Sequence, residues 1–303
     1  MRRSFASVYF VLQGLAVAAW WTLLTVEPAA RSPFLPPGNH PSALLAFAAP
    51  DLSLLAAGSL LTGFLLVRGS GWALPVMWLV AGAVDYATLQ VLAWSALADG
   101  GWLGFVLMAP TALLSTALAL DLAAGQLPLF RQAEHASPRW NVAKTLLQIV
   151  VFWTFFLAVI PCFLLHIESS LGWPRFALAG QRPLAAVLFA ALSALGLVCG
   201  WTLAHRGDGT PLPLDATRRL VIAGPYAYVR NPMAIAGFGQ GVVVALGLGS
   251  WLVLAYATLG SAIWNWVVRP SEEADLARNF GAEYERYRAA VTCWIPRRWP
   301  YRA

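Results

Sequence analysis

Charge is scarce in this chain. Asp, Glu, Lys and Arg make up 11% of its 303 residues, against about 25% in an ordinary soluble domain. That deficit excludes the pair of soluble domains that length alone suggests. Cysteine is scarce as well. Cys162, Cys199 and Cys293 are too few and too scattered for a disulfide framework or a metal cluster. The first two fall in apolar stretches and read as small core residues. Internal repeats and low-complexity segments are missing. What fills the chain is apolar: 59% of residues and a mean hydropathy of +0.65. Several apolar runs exceed the roughly 20 residues that a membrane-crossing helix needs.

Eight apolar segments are read, at about 5–26, 43–67, 72–98, 102–124, 143–166, 183–204, 233–247 and 250–268. The expected fold is all-α: a polytopic transmembrane helical bundle whose last two segments form a hairpin, followed by a cytoplasmic amphipathic helix. The first segment follows Arg2 and Arg3 as a signal peptide would. Its length, and the lack of a small-residue cleavage site between Glu27 and Pro37, favour a retained span. With the N-terminus placed in the cytoplasm, inner loops hold seventeen cationic residues, including Arg68, Arg131, Arg139, Lys144, Arg206, Arg218, Arg219 and Arg230. Outer loops hold three, Arg31, Arg175 and Arg182. This bias predicts that both termini are cytoplasmic, in a bacterial inner membrane. The net charge of +6 is spread over juxtamembrane loops, which predicts anionic lipid headgroups as partners and no nucleic acid.

Turn-forming residues near 125–142, among them Gly125 to Pro128, His135 and Ser137-Pro138, divide the chain. We expect an N-terminal four-span bundle at 1–130 and a second membrane module at 131–303. The longest inner loop, 205–232, holds His205 to Gly209 and Pro211-Leu212-Pro213, and ends in Gly224-Pro225-Tyr226 and Arg230-Asn231-Pro232. Asparagine suits a helix cap and proline the position after it. The hairpin turns at Gly247-Leu248-Gly249-Ser250, and its first arm, about 16 residues or 24 Å, is short for a full crossing. Arg269-Pro270 reads as the end of the last span, with Ser271 as the next cap and Glu272 and Glu273 in a first helical turn. Leu276, Phe280, Tyr284, Tyr287 and Val291 then mark one face of an amphipathic helix, weakened at Gly281. Such a helix either lies on the headgroups or covers a pocket.

Taken in order, Gly224-Pro225-Tyr226, Arg230-Asn231-Pro232, the hairpin, Glu272-Glu273, Phe280-Gly281, Tyr284, Tyr287 and Ile295-Pro296 resemble the membrane methyltransferases typified by isoprenylcysteine carboxyl methyltransferase. The wider group includes phospholipid N-methyltransferases. The specific likeness spans about 220–298; the first four spans lie outside it. The resemblance implies S-adenosylmethionine as methyl donor and a lipophilic acceptor drawn from the bilayer: a prenylcysteine carboxylate, a lipid amine or a thiol. It implies a cofactor pocket made by the Arg-Asn-Pro turn and the paired glutamates, closed by the C-terminal helix. Carried onto this chain, the cofactor-binding residues are Tyr226, Arg230, Asn231, Pro232, Glu272, Glu273 and Tyr284, with Arg230 and Glu273 closest to catalysis. The chain departs from the pattern at Asn231, where histidine is common, at Ala234, where tyrosine is common, and at Ala236, where glycine is common.

The chemistry is consistent with that assignment. An arginine can bind the cofactor's carboxylate in bidentate fashion, and a glutamate can face its ammonium. Rings such as Tyr226, Trp264 and Trp266 can cover adenine or the sulfonium. Elsewhere, Asp85 sits in mid-span, where a carboxylate is a functional candidate or half of an interhelical hydrogen bond. Asp51 reads as a helix start, and Asp121 as lying near an exposed span end. Gln148, His166 and Asn265 read as satisfied polar contacts. Two rival readings remain. One is a sterol-reductase-like enzyme using NADPH, suggested by Pro296 to Tyr301 and opposed by the acidic pair. The other is a transporter or assembly factor built around Asp85.

Overall fold

The computed structural model describes residues 2–123, 137–210 and 217–302. The turn residues at 125–128, Arg131, His135 and Pro211 to Pro213 lie outside the described residues. Among the described residues every regular element is helical. Seven helices are long and apolar enough to cross a membrane, and Pro232–Leu248 is a shorter apolar one. The helices turn apolar side chains outward; Leu97, for example, is 90% exposed. That is the surface of a protein whose solvent is lipid. In lipid, backbone polar groups must be satisfied within the helix. Two compact units are resolved, Met1–Leu127 and Pro128–Ala303.

The first unit holds α1 (Arg2–Val26), α2 (Pro41–Val67), α3 (Ala73–Ala98) and α4 (Trp102–Ala123). α1 and α2 approach closely because Gly63 faces the Ser7 carbonyl, where the Ser7 hydroxyl also donates to the Gly63 carbonyl at 3.1 Å. The polar groups here find one another. Thr116 donates to Asp85 at 2.7 Å, Trp21 to Asp51 at 3.1 Å, and Ser115 to Gln13 at 3.0 Å. Asp85 therefore takes the interhelical hydrogen-bond reading. Asp51 lies inside α2, in a wide turn over Asp51–Ala56, and does not start a helix. Asp121 is buried, against the expectation of an exposed span end.

The second unit holds α5 (Arg139–Ser170), α6 (Gln181–Arg206), α7 (Pro232–Leu248), α8 (Trp251–Ile263) and α9 (Arg269–Ala290). Ser137 caps α5 by accepting from the Trp140 N–H. α6 and α7 pack along small residues: Gly196 meets Ala236, and a Cβ on Gly239 would come within 2.9 Å of Leu192. Gln240 and Ser193 bridge the pair at 2.9 Å. The hairpin turn forms as expected. Gly249 has φ +66°, and a Cβ there would sit 2.2 Å from the Phe176 carbonyl, so only glycine fits. Ser250 caps α8 by accepting from Val253. Cys199 is buried, as read, whereas Cys162 is exposed on the apolar surface.

The chain does not stop at Arg269-Pro270. It runs on as helix through a wide turn at Trp264–Val268, where the Arg269 N–H reaches back five residues to the Trp264 carbonyl. Proline has no N–H to offer the fourth carbonyl before it, and the widened turn rearranges the bonding just before it. α5 has the same arrangement, with a wide turn at Phe155–Val159 followed by Pro161. Ser271 is therefore inside a continuous helix and is not its cap. The break comes later. Gly281, at φ 54° and ψ −131°, kinks α9 into two arms.

Candidate functional site

A cavity of about 400 Å³ lies in the second unit, within the range of small-molecule sites. Its wall comes from the end of α6, the turn at Gly224–Ala227, the start of α7, the Trp264–Val268 turn and α9. Local sequence explains each piece. Asn231 caps α7, its Oδ1 accepting from the Ala234 N–H at 3.1 Å, and Pro232 follows in the first helical turn. That fixes where Arg230 leaves the turn. The residues after Ala290 strap the turn down: Arg230 N–H donates to the Thr292 carbonyl, Arg297 N–H to Tyr228, and Tyr301 N–H to Ala227. The Tyr287 hydroxyl donates to the Tyr226 carbonyl at 2.6 Å.

Six of the seven nominated residues, Tyr226, Arg230, Asn231, Glu272, Glu273 and Tyr284, line this cavity. Pro232 is buried beside them and acts on the backbone. Arg230 and Glu273 face each other. Arg230 Nη1 donates to Glu273 Oε1 at 2.8 Å and to the Tyr284 hydroxyl at 3.4 Å, and Arg269 stands 3.9 Å from the same carboxylate. The expectation that each charge waits for a separate ligand group is thus amended, because they already neutralise one another. Two polar atoms on these residues are buried with no partner among the described residues, Arg230 Nε and the Tyr226 hydroxyl. A buried polar atom without a partner is costly, and both of these belong to residues that line the cavity.

Glu272 sits beyond the apolar end of its span, and burial pushes its carboxyl up to about 7, with a smaller push from Glu273 and an opposing hydrogen bond from Trp264. Burial also raises the Tyr284 hydroxyl to about 12 and moves that of Tyr226 well above its usual value. Two guanidinium groups and three carboxyls, Arg230, Arg269, Glu272, Glu273 and Asp275, line the cavity. With Glu272 ionised the carboxyls outnumber the guanidinium groups by one, which suits a ligand with net positive charge. Asp275 is held by Arg278 at 3.0 Å and Asn279 at 2.9 Å.

Phe238 and Trp264 form an aromatic wall, with ring centres 5.4 Å apart. Trp294 joins them and donates to Asn265 at 2.9 Å. Ala234 and Gly237 line the cavity beside them, and a Cβ on Gly237 would meet nothing within 4 Å. Trp266, named earlier as a possible cover, is 67% exposed and does not line the cavity. The apolar face of α9 does not rest on headgroups either. Tyr284, Tyr287 and Val291 are buried against Leu220, Ile222 and Tyr301. Sequence reasoning missed Phe238, Asn279 and Cys293 as lining residues, and a single sequence carries no signal for their inward orientation.

The family model for phospholipid methyltransferases matches residues 184–283. The matched stretch contains α6 from Leu184 on, the hairpin, and every nominated residue from Tyr226 to Glu273; Tyr284 lies one residue past its end. No curated protein matches the chain. No solved structure matches it either. The match agrees with the resemblance seen in the sequence, and with the seven apolar helices it supports a membrane methyltransferase.

Proposed function

We propose, from the match over residues 184–283 and the geometry around it, that the protein is an S-adenosylmethionine-dependent methyltransferase acting on a lipophilic acceptor. The observation that carries this is the meeting of Arg230 and Glu273, at 2.8 Å, inside one cavity of about 400 Å³. An opposed cation and anion at that spacing suit a zwitterionic α-amino acid group, whose carboxylate pairs with Arg230 and Arg269 and whose ammonium pairs with Glu273. The unpartnered Arg230 Nε and Tyr226 hydroxyl offer it further hydrogen bonds. The acidic excess favours a net cation and disfavours the phosphates of NADPH. Phe238 and Trp264 provide a flat apolar surface for adenine, in place of the ring lost at Ala234.

When bound, S-adenosylmethionine supplies a methyl group that passes to an acceptor lone pair while the old bonding pair stays on sulfur. The chain's own contribution is alignment and dryness. Arg230 and Glu273 hold the amino acid end. Tyr284 steadies Arg230. The two arms of α9 and the strap after Ala290 cover the cavity. An acceptor that carries a proton must lose it, and Glu272, poised near neutrality by burial, is the group suited to take it. Arginines on the flanking loops suit anionic headgroups at the membrane surface.

The test is methyl-label transfer from S-adenosylmethionine by purified protein to fractionated membrane lipids. Labelled lipid with the native chain, and none with Arg230→Ala/Glu273→Ala, supports the proposal. Equal turnover by both rules out the site. A rise in melting temperature with NADPH and none with S-adenosylmethionine rules out the cofactor.

A further inference from the structure

The strap after Ala290 has two unlike sides. Its inner side builds the cavity. The Thr292 carbonyl accepts from the Arg230 N–H at 2.9 Å, Cys293 lines the cavity, and Trp294 packs edge-on against Trp264 with ring centres 5.7 Å apart. Further on, the Arg297 and Tyr301 N–H groups donate to the Tyr228 and Ala227 carbonyls at 2.9 and 2.8 Å. The other side meets no protein. Ile295 is 73% exposed and Trp299 78%, and Arg298 and Arg302 are exposed between and beyond them. Neither arginine forms an ion pair among the described residues. From Val291 to Arg302 the sequence holds no acidic residue.

The depth of the strap selects its partner. Trp294 Nε1 donates to Asn265 Oδ1 at 2.9 Å, which ties the strap to the far end of the helix that begins at Trp251, about 21 Å along its axis. Trp251 is exposed at one end of that helix and Trp266 at the other. Exposed tryptophans at the two ends of a span mark the two membrane–water interfaces. The strap therefore lies level with the second interface. Apolar and aromatic side chains interleaved with arginines suit that level, where rings sit among the headgroups and cations are drawn to anionic ones. A soluble acidic partner would have to displace the headgroups to reach the same side chains.

We propose that residues 294–302 dock on the anionic headgroups of the bilayer, and that docking seats the strap over the cofactor cavity. Ile295 and Trp299 enter the interface, while Arg298 and Arg302 pair with headgroups of net negative charge. The seated strap presents these four side chains together, because its backbone is fixed at Thr292, Arg297 and Tyr301. A released strap must first be ordered, at a cost in entropy. The lipid surface thus binds the seated form better and shifts the population toward it. Seating also fixes Arg230 and the turn before it, so the cofactor and anionic lipid favour one state, and each tightens binding of the other. This regulation rests on the S-adenosylmethionine reading of the cavity.

The experiment measures the Kd of labelled S-adenosylmethionine for the full chain in two kinds of nanodisc, one of phosphatidylcholine alone and one with about a third of its lipid replaced by anionic phosphatidylglycerol. Binding should be at least about fivefold tighter in the second, and the difference should vanish in about 1 M salt, which screens exposed charges. Arg298→Gln/Arg302→Gln should lose the difference and keep the native Kd in phosphatidylcholine within twofold. With Trp299→benzoylphenylalanine, ultraviolet light should attach lipid to the peptide containing residue 299. An equal Kd in both nanodiscs, a lipid effect that survives salt or the double variant, or crosslinks from residue 299 to protein alone overturns the docking. Failure of the native chain to bind S-adenosylmethionine in either nanodisc overturns the cofactor reading and the regulation with it, while the crosslink still decides whether the strap touches lipid.

Discussion

Glu272 and Glu273 are adjacent in sequence but have opposite surroundings. Glu273 meets Arg230 and Arg269, whereas Glu272 is desolvated, and its pKa is raised to about 7. A carboxyl whose pKa is raised on folding holds its proton longer in the folded chain. The ligand-free protein should therefore lose stability as pH rises from the ordinary 4.5 to about 7. A bound cation favours the carboxylate, so affinity for S-adenosylmethionine should increase over that window and level off above it. Calorimetric titration across pH 5–8 checks this, and Glu272→Gln should flatten the profile. A second prediction concerns the pair. Arg230→Ala and Glu273→Ala should each cost about 1.5–3 kcal/mol of stability, and the double variant should cost less than their sum, by about 1–3 kcal/mol in a double-mutant cycle. The charged residues at 230, 272 and 273 were legible because charge is rare in so apolar a chain. Their mutual pairing was not, because it depends on the rotation of α9 about its axis, which a period-3.6 pattern leaves undetermined once the helix continues into a span.

At the scale of elements, turn chemistry proved the most readable signal. The Asn231 cap and the Gly249-Ser250 turn fall where their side-chain and φ preferences put them. Proline misled at Pro270, because a widened turn lets a helix pass through a proline and no residue preference announces it. Gly281 was read as a soft point in a helix and is a kink between its arms. Its φ of 54° and ψ of −131° are nearly closed to other residues. Gly281→Ala should therefore destabilise the protein by about 1–3 kcal/mol, seen as a lower melting temperature, and weaken cofactor binding by misplacing Tyr284. Truncation after Ala290 should abolish cofactor binding while preserving helical circular dichroism, since the removed strap holds the 227–230 turn through the carbonyl and N–H of three backbone pairs.

For the molecule as a whole, hydropathy sufficed to show an all-helical membrane protein, because lipid permits few alternatives to apolar helices. The likeness to methyltransferases is confined to the second unit, where residues 184–283 match and the cavity lies. Asp85, the strongest argument for transport, accepts a hydrogen bond from Thr116 within the first unit. Asp85→Asn should accordingly leave S-adenosylmethionine affinity and methyl transfer within twofold of the native values. Equilibrium binding of labelled S-adenosylmethionine to the purified full chain at pH 8, alongside Arg230→Ala/Glu273→Ala, tests the central claim most directly. Saturable binding at one site per chain, lost in the double variant, is the predicted result. No saturable binding to the native chain, or equal binding to the folded double variant, contradicts it.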